Sequence, residues 1–228
     1  MNQQLTLDLP HRAALGREDF LVTDSNAAAV ALIDQWPNWP SYGAIIVGPP
    51  GSGKSHLVEV WRQKSQAQFS RSEMLTIEAI PTLLGTGHCA IEITATKPER
   101  AIFHALNFAK QEGRNLLLTA QQPVAEWAIT IPDLVSRLNA LPTVMIGKPD
   151  DALLRGVLVK LFLDRQIAVD EATLNYMLLR MPRSLQSARD IVAAIDQQAL
   201  VEKAEITRHF VARVLSGFTN PDLFDEGN

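Results

Sequence analysis

A short glycine-rich segment constrains the fold of this chain more than any other feature. It follows the apolar run Ala44–Val47 and satisfies the pattern G-x-x-x-x-G-K-[ST]. Its residues are Gly48, Pro49, Pro50, Gly51, Ser52, Gly53, Lys54 and Ser55. Short apolar runs of this kind form buried parallel strands, and a helical pattern begins at about Lys54. A strand, a glycine-rich turn and a helix in this order predict a phosphate-binding loop.

Each residue type in this segment suits the binding of a nucleotide polyphosphate. Glycines permit backbone angles and a close approach that side chains would prevent. Successive N–H groups can then point at phosphate oxygens beside the positive end of the next helix. Lys54 supplies a positive charge for the β- and γ-phosphates, and Ser55 an oxygen for Mg²⁺. The alternative is an ordinary Gly/Pro turn with an exposed lysine, which the flanking strand and helix disfavour. The predicted ligands are ADP or ATP with Mg²⁺.

Short apolar runs alternate with helical stretches over the first part of the chain. The predicted strands cover residues 44–47, 74–77, 89–93, 115–119 and 143–147. Strands joined by helices imply crossover connections and a doubly wound, parallel five-stranded sheet of the α/β class. After residue 148 the apolar residues follow only the helical period, which predicts a small all-α domain. The predicted divisions are an arm, an α/β domain, a helical domain and a tail, at residues 1–18, 19–148, 149–217 and 218–228.

Composition excludes several classes of function. The net charge of −4 and the pI near 5.7 argue against a large basic surface for nucleic acid. The single cysteine, Cys89, can form neither an internal disulfide nor a cysteine metal site. The N-terminus does not resemble a signal peptide, and no stretch approaches the roughly 18 apolar residues of a membrane span. These features predict a cytoplasmic protein that has no membrane contact and no direct sequence-specific DNA binding.

Glu92 is the candidate acidic partner of the loop. It lies within the apolar run Cys89–Ile93, where an unpaired carboxylate needs an explanation. We predict that Glu92 and Ser55 hold Mg²⁺; the alternative is a glutamate that faces solvent on an edge strand. The next position, Ile93, cannot accept a proton from water, and Glu99 lies too far along the chain to replace an acid there. Weak intrinsic hydrolysis is therefore expected.

Four segments together resemble the AAA+ family that contains the bacterial replication initiator DnaA and its shorter relative Hda. The similarity extends over residues 16–217. The segments are Gly53-Lys54-Ser55-His56-Leu57, Leu116-Leu117-Leu118-Thr119-Ala120-Gln121-Gln122-Pro123, Ile131-Pro132-Asp133-Leu134-Val135-Ser136-Arg137-Leu138 and Pro182-Arg183-Ser184-Leu185. The resemblance implies an AAA+ nucleotide-binding domain followed by a helical lid. It adds His56 to the expected nucleotide contacts.

The resemblance also assigns roles to single residues. Arg137 corresponds to the arginine finger, which acts on a nucleotide bound by a neighbouring subunit, unless it is an ordinary surface arginine in an ion pair. Arg183 corresponds to the lid arginine that contacts phosphates, with simple solvation of the lid helix as its alternative. Gln121 or Gln122 occupies the sensor position. Val22 falls where the family packs against the adenine, although core packing would explain it nearly as well.

The arm contains Gln4-Leu5-Thr6-Leu7-Asp8-Leu9, which resembles the hexapeptide that docks replication proteins on the DNA polymerase sliding clamp. In such a peptide the apolar side chains of Leu5, Leu7 and Leu9 would enter pockets while Gln4 makes polar contacts. An edge strand or a loose tail is the alternative interpretation of this segment.

The expected function is that of an Hda-type regulator of replication initiation. It would dock on the clamp and place Arg137 against ATP bound to DnaA, so that the initiator hydrolyses its own ATP. Ile93, the uncharged sensor position and the expected lack of a helix-turn-helix domain favour this type over an initiator. The alternatives are an autonomous P-loop ATPase such as a helicase loader or remodeller, a nucleotide-stabilised adaptor, and a DNA-binding initiator fragment. Whether the chain forms a homodimer is left open.

Overall fold

The structure is a computed structural model that describes residues 21–85 and 87–219. The predicted clamp-binding residues Gln4, Leu5, Leu7 and Leu9 lie outside the described residues. The first part of the fold alternates helices and strands. Its elements are α1 (Ala27–Gln35), β1 (Gly43–Val47), α2 (Lys54–Ser65), β2 (Gln68–Arg71), α3 (Ile80–Gly85), β3 (Cys89–Glu92), α4 (Glu99–Gln111), β4 (Leu116–Ala120), α5 (Pro132–Asn139) and β5 (Thr143–Met145).

The five strands form one parallel sheet in the order β2-β3-β4-β1-β5, which confirms the predicted fold class. Residue Val47 pairs with Ala120, and Glu92 pairs with Thr119. The carboxyl ends of β1, β3 and β4 therefore meet at one edge of the sheet. In open α/β sheets this edge is where ligands bind.

The predicted strand at 74–77 is wrong. The strand in this region is β2, and residues Ser72–Met74 form a turn of 3₁₀ helix after it. Only Ser70 of β2 is buried, because β2 is an edge strand whose other side chains face outward. A polar edge strand carries little apolar signal, whereas Met74 and Ile77 are apolar and yet 69% and 42% exposed.

Both faces of the sheet are covered by helices, and neighbouring residues of a strand face opposite cores. Ile45 of β1 belongs to the core beneath α3, α4 and α5, while Ile46 packs with α1 and α2. Trp39 and Trp61 stack in the second core with their ring centroids 5.4 Å apart. This alternation on a sheet buried on both faces fixes the direction in which each strand delivers its side chains.

The second part of the fold is a bundle of helices, which we call the lid. Its helices are α6 (Asp151–Asp164), α7 (Glu171–Arg180), α8 (Leu185–Glu202) and α9 (Arg208–Thr219). Asp150, Asp170 and Ser184 begin α6, α7 and α8, because each side chain accepts hydrogen bonds from backbone N–H groups of the first turn. Among the described helices, none is both long and apolar enough to cross a membrane.

Candidate nucleotide-binding site

The glycine-rich loop connects the end of β1 with the first turn of α2. Gly51 and Gly53 have φ angles of +69° and +102°, which side chains disfavour. A Cβ atom on Gly48 would lie 2.9 Å from the carbonyl oxygen of Ile146. Glycine therefore suits the course of the loop at all three positions, of which the sequence pattern requires Gly48 and Gly53.

Two polar side chains inside the loop are suited to an anion. The ammonium group of Lys54 donates hydrogen bonds to the carbonyl oxygens of Gly48 at 2.6 Å and Pro49 at 2.9 Å. Burial lowers the pKa of Lys54, and the carboxylate of Glu92 offsets part of that shift. The hydroxyl of Ser52 is buried without a hydrogen-bond partner among the described residues. A bound phosphate would accept hydrogen bonds from both groups and compensate their desolvation, so the loop fits the nucleotide.

A cavity of about 250 Å³, which we call the phosphate cavity, lies beside the loop. Ser55 and His56, both predicted nucleotide contacts, line it from α2. Glu92 and Gln121 line it from the ends of β3 and β4, so that the structure brings the expected acid and one sensor glutamine to the loop. Gln122 lies outside this cavity. Leu185, Gln186 and Arg189 complete the lining from the lid.

The start of α8 rests directly on the loop. The backbone N–H of Leu185 donates a hydrogen bond to the carbonyl oxygen of Gly51 at 2.9 Å. A Cβ atom on Gly51 would collide with the side chain of Ser184, the residue that caps α8. Arg189 follows Leu185 by one helical turn and therefore lies on the same side of α8. Burial lowers the pKa of Arg189, and Asp190 offsets part of the shift.

The structure does not bring Arg183 to the phosphate cavity. Its guanidinium pairs with the carboxylate of Asp151 at 2.8 Å and lies 3.5 Å from the carbonyl oxygen of Pro149. The lid arginine beside the loop is Arg189, which the sequence prediction did not include. The spacing of Leu185 and Arg189 on one helix face was the available signal, but it could be used only once Ser184 was known to cap α8.

Glu92 has a second neighbour besides Lys54. The guanidinium of Arg71, at the end of β2, lies 3.3 Å from the Glu92 carboxylate. Glu92 also lines a larger cavity of about 490 Å³, which we call the outer cavity. Ile93, Thr94, Lys97 and Gln122 contribute to its wall. Among the described residues that line the two cavities, Glu92 is the one carboxylate.

Arg137 lies on α5 and lines neither of these cavities. Its guanidinium carbon is 4.9 Å from the centre of the Phe103 ring, on α4. Asp133, one turn earlier on α5, pairs with Arg137 at 3.3 Å. The side chain is therefore held by its own domain at a position separate from the glycine-rich loop.

Val22 also lies outside both cavities, and it is half exposed. Its segment is fixed by Asn26, a buried residue that sequence analysis missed. The Asn26 side chain donates to the carbonyl oxygen of Leu21 at 2.9 Å and accepts from the N–H of Thr23 at 3.0 Å. Leu21 packs on Gly156 of α6, where a Cβ atom would be 2.7 Å from the Leu21 side chain. This segment thus joins the α/β part to the lid.

Comparison with solved structures identifies the fold. Domain III of the replication initiation protein DnaA from Thermotoga maritima superposes with a TM-score of 0.77 at 16% identity, over 93% of this chain and all of that one. This chain has the fold of DnaA domain III. DnaA from Aquifex aeolicus, solved with AMPPCP bound, has a TM-score of 0.64 at 15% identity, over 82% of this chain and 68% of that one. Thermotoga maritima RuvB reaches 0.69 at 12% identity, over 89% and 71% of the two chains.

Sequence relatives are distant, and no family model matches the chain. An uncharacterized protein of Haemophilus influenzae is 22% identical over 75% of this chain and 80% of its own length. A putative insertion sequence ATP-binding protein of Sinorhizobium fredii is 28% identical over 53% of this chain, which spans 47% of that protein. The initiator DnaA of Porphyromonas gingivalis is 23% identical over 65% of this chain and 30% of its own length. The chain therefore spans less than half of each of the latter two relatives.

Proposed function

We propose that the chain binds ADP or ATP at the glycine-rich loop, with Mg²⁺ held by Ser55 and Glu92. The buried hydroxyl of Ser52 and the partly buried ammonium of Lys54 support this proposal, because both would gain an acceptor from a phosphate. Mg²⁺, when bound, supplies positive charge to the β- and γ-phosphate oxygens. Arg71 pairs with Glu92 and would have to share that carboxylate with the ion.

We further propose that the chain hydrolyses its own nucleotide slowly and instead supplies an arginine to a partner. The observation that carries this proposal is the distribution of charged groups: the cavities beside the loop contain Glu92 as their one carboxylate among the described residues. Ile93 occupies the next position and is buried. The carboxylate of Glu99 cannot activate water there, because it accepts hydrogen bonds from the backbone of Thr130 and Ile131.

The partner in this proposal is the replication initiator DnaA with ATP bound. Arg137 lies on α5 and lines neither cavity of its own chain. To reach a nucleotide on another protein, its guanidinium would have to leave or share its ion pair with Asp133. An arginine of this kind stabilises charge on the phosphoryl group being transferred and accelerates hydrolysis by about 10³–10⁵-fold in well-studied cases. Docking of Gln4, Leu5, Leu7 and Leu9 on the DNA-loaded sliding clamp would bring the two proteins together. The chain would then act as an Hda-type negative regulator of initiation.

An Arg137→Ala variant tests the role of the arginine. Hydrolysis of ATP bound to DnaA is measured in the presence of clamp loaded on DNA, with the unchanged chain, Arg137→Ala, and Arg180→Ala. Arg180 is a matched control, since it also stacks on an aromatic ring, that of Tyr176 at 4.1 Å, but lies on the lid. We expect stimulation to fall by at least about 100-fold in Arg137→Ala and to persist in Arg180→Ala. Undiminished stimulation by Arg137→Ala would refute the role.

Deletion of residues 1–10 tests the docking segment. The intact chain should be retained by immobilised clamp, and the shortened chain should not. ATP binding by the shortened chain serves as the control for folding, because the described residues that line the phosphate cavity are all retained in it. Equal retention of both chains would remove the arm from the proposal.

An autonomous ATPase is the second candidate, and the similarity to the insertion sequence ATP-binding protein favours it. Under that proposal the chain itself would turn over ATP, alone or with DNA. Steady-state phosphate release by the isolated chain distinguishes the two. Multiple turnovers that persist in Arg137→Ala but disappear in Lys54→Ala would support the autonomous enzyme and exclude the role in trans as the main activity.

A further inference from the structure

Helix α4 contacts α5 at two points that lie one helical turn apart. At the first point the carboxylate of Glu99 accepts hydrogen bonds from the N–H groups of Thr130 at 3.0 Å and Ile131 at 2.9 Å. It also accepts one from the Thr130 hydroxyl at 2.9 Å. At the second point the ring of Phe103 lies under the guanidinium of Arg137. One face of α4 therefore contacts both the entry to α5 and the arginine near its end.

The entry to α5 depends on this contact because it lacks a local cap. Ile131 occupies the N-cap position and makes no side-chain hydrogen bond to the first turn, which begins with Pro132. A negative group at a helix N-terminus is favourable, since the exposed N–H groups there carry partial positive charge. Asp133 in the first turn carries such a charge but pairs with Arg137, and Glu99 adds a second one from another helix. The hydrogen bonds from Thr130 and Ile131 lower the pKa of the Glu99 carboxyl. Glu99 thus fixes the backbone from which α5 starts.

The same helix begins next to the nucleotide site. The segment of residues 93–98 connects β3 with α4, and Ile93, Thr94 and Lys97 of this segment line the outer cavity. The segment is tied down by Ser72, which is fully buried. The Ser72 hydroxyl donates to the carbonyl oxygen of Thr96 at 2.6 Å and accepts from the N–H of Thr94 at 3.0 Å. From Glu92 the chain runs through this segment into α4, where Glu99 contacts the start of α5 and Phe103 contacts Arg137.

We propose that Glu99 is a positioning residue, which sets the direction in which α5 presents Arg137 to a partner's nucleotide. Glu99 holds the start of the helix while Phe103 supports the guanidinium. The proposal rests on the action of Arg137 in trans. Helix α4 follows the segment that lines the outer cavity, and Glu99 is the first residue of this helix. A group that only stabilised α5 would change the melting temperature and leave the catalytic rate constant of the partner unchanged.

The test compares Glu99→Ala and Glu99→Gln with the unchanged chain in the DnaA hydrolysis assay, using clamp loaded on DNA. Glutamine keeps the reach and one acceptor oxygen but loses the charge and the second acceptor. The matched control is Glu112→Gln, at the opposite end of α4. The concentration of the chain is varied, so that the maximal rate and the half-saturating concentration are obtained separately. Arg137→Ala is measured in parallel.

We expect the maximal rate to fall by about tenfold in Glu99→Ala and by about threefold in Glu99→Gln, because each lost hydrogen bond to a charged group loosens the helix start. The half-saturating concentration should change by less than about twofold, and Glu112→Gln should behave as the unchanged chain. If Glu99→Ala does not fold, the decision rests on Glu99→Gln. The positioning role alone is overturned if Arg137→Ala is inactive while the Glu99 variants keep a normal maximal rate. It is also overturned if the Glu99 variants change only the half-saturating concentration. Normal activity of Arg137→Ala overturns the proposed function, and the positioning role with it.

Discussion

Arg189 lines the phosphate cavity from α8, and its replacement by alanine should weaken the binding of ATP. The side chain is partly buried, which lowers the pKa of the guanidinium, and it makes no hydrogen bond or ion pair to a described residue. A phosphate oxygen in the cavity would supply the missing acceptor. Charge-assisted hydrogen bonds contribute about 1.5–3 kcal/mol. Since Arg189 is only partly buried, we take the lower half of this range, which corresponds to a rise in Kd of about 10- to 40-fold.

Arg183→Ala is the matched control for this prediction. Arg183 is half exposed and paired with Asp151, and exposed ion pairs contribute little, so its loss should change the Kd by less than about twofold. Isothermal titration with ATP and Mg²⁺ measures both variants, and circular dichroism melting confirms that each is folded. A larger loss of affinity in Arg183→Ala than in Arg189→Ala would refute the assignment. It would mean that the lid takes another position on the loop when nucleotide binds.

Three further predictions concern Gly51 in the loop, Cys89 in the core and Asp150 at the start of α6. Gly51→Ala and Gly113→Ala both place alanine at a positive φ angle, at a cost of about 1–2 kcal/mol, but of the two only position 51 has a neighbour in the way, Ser184. Gly51→Ala should therefore lower both the melting temperature and the affinity for ATP more than Gly113→Ala does. Equal effects of the two variants would contradict the contact between the loop and the lid. Burial raises the pKa of the Cys89 thiol to about 12, so a thiol reagent at neutral pH should label the chain only after denaturant is added. Rapid labelling of the native chain would contradict the packing of β3. Hydrogen bonds from the N–H of Leu153 and, to a smaller extent, from Thr23 and Ser25 lower the pKa of Asp150. The carboxylate therefore stabilises the fold at pH values above its ordinary pKa, and this contribution disappears as the pH falls through the lower pKa of the folded state. Asp150→Asn should reduce the dependence of the melting temperature on acid pH, and an unchanged dependence would count against this cap.

The sequence predicted the elements whose pattern is set by local chemistry. The phosphate loop could be located because a glycine pattern, a buried strand and a helix coincide at Gly48–Ser55. The strands β1, β3 and β4, whose carboxyl ends lie beside the loop, are buried on both faces and therefore appear in the sequence as continuous apolar runs. The position of β2 could not be predicted in this way, because an edge strand with one inward residue has no apolar run.

The site residues that sequence analysis missed depend on contacts between distant elements. Arg189 reaches the cavity because the start of α8 rests on Gly51, where the N–H of Leu185 donates to the Gly51 carbonyl oxygen. These residues are far apart in the sequence, so no local pattern encodes their contact. Glu99 was considered only as a substitute acid for water activation, whereas its carboxylate binds the start of α5, 31 and 32 residues later. The motif around Arg183 predicts a contact with phosphates, whereas in the structure its guanidinium pairs with Asp151.

In the proposed function, this chain retains its nucleotide while the nucleotide held by its partner is hydrolysed. Two parallel mixtures with clamp loaded on DNA test it directly. In one, ATP labelled at the γ-phosphate is preloaded on DnaA and unlabelled ATP on this chain; in the other, the label is exchanged between the two proteins. The account predicts rapid release of labelled phosphate only in the first mixture, and its loss in Arg137→Ala. Release from the second mixture at an equal or greater rate would contradict it, because the chain would then be hydrolysing its own ATP.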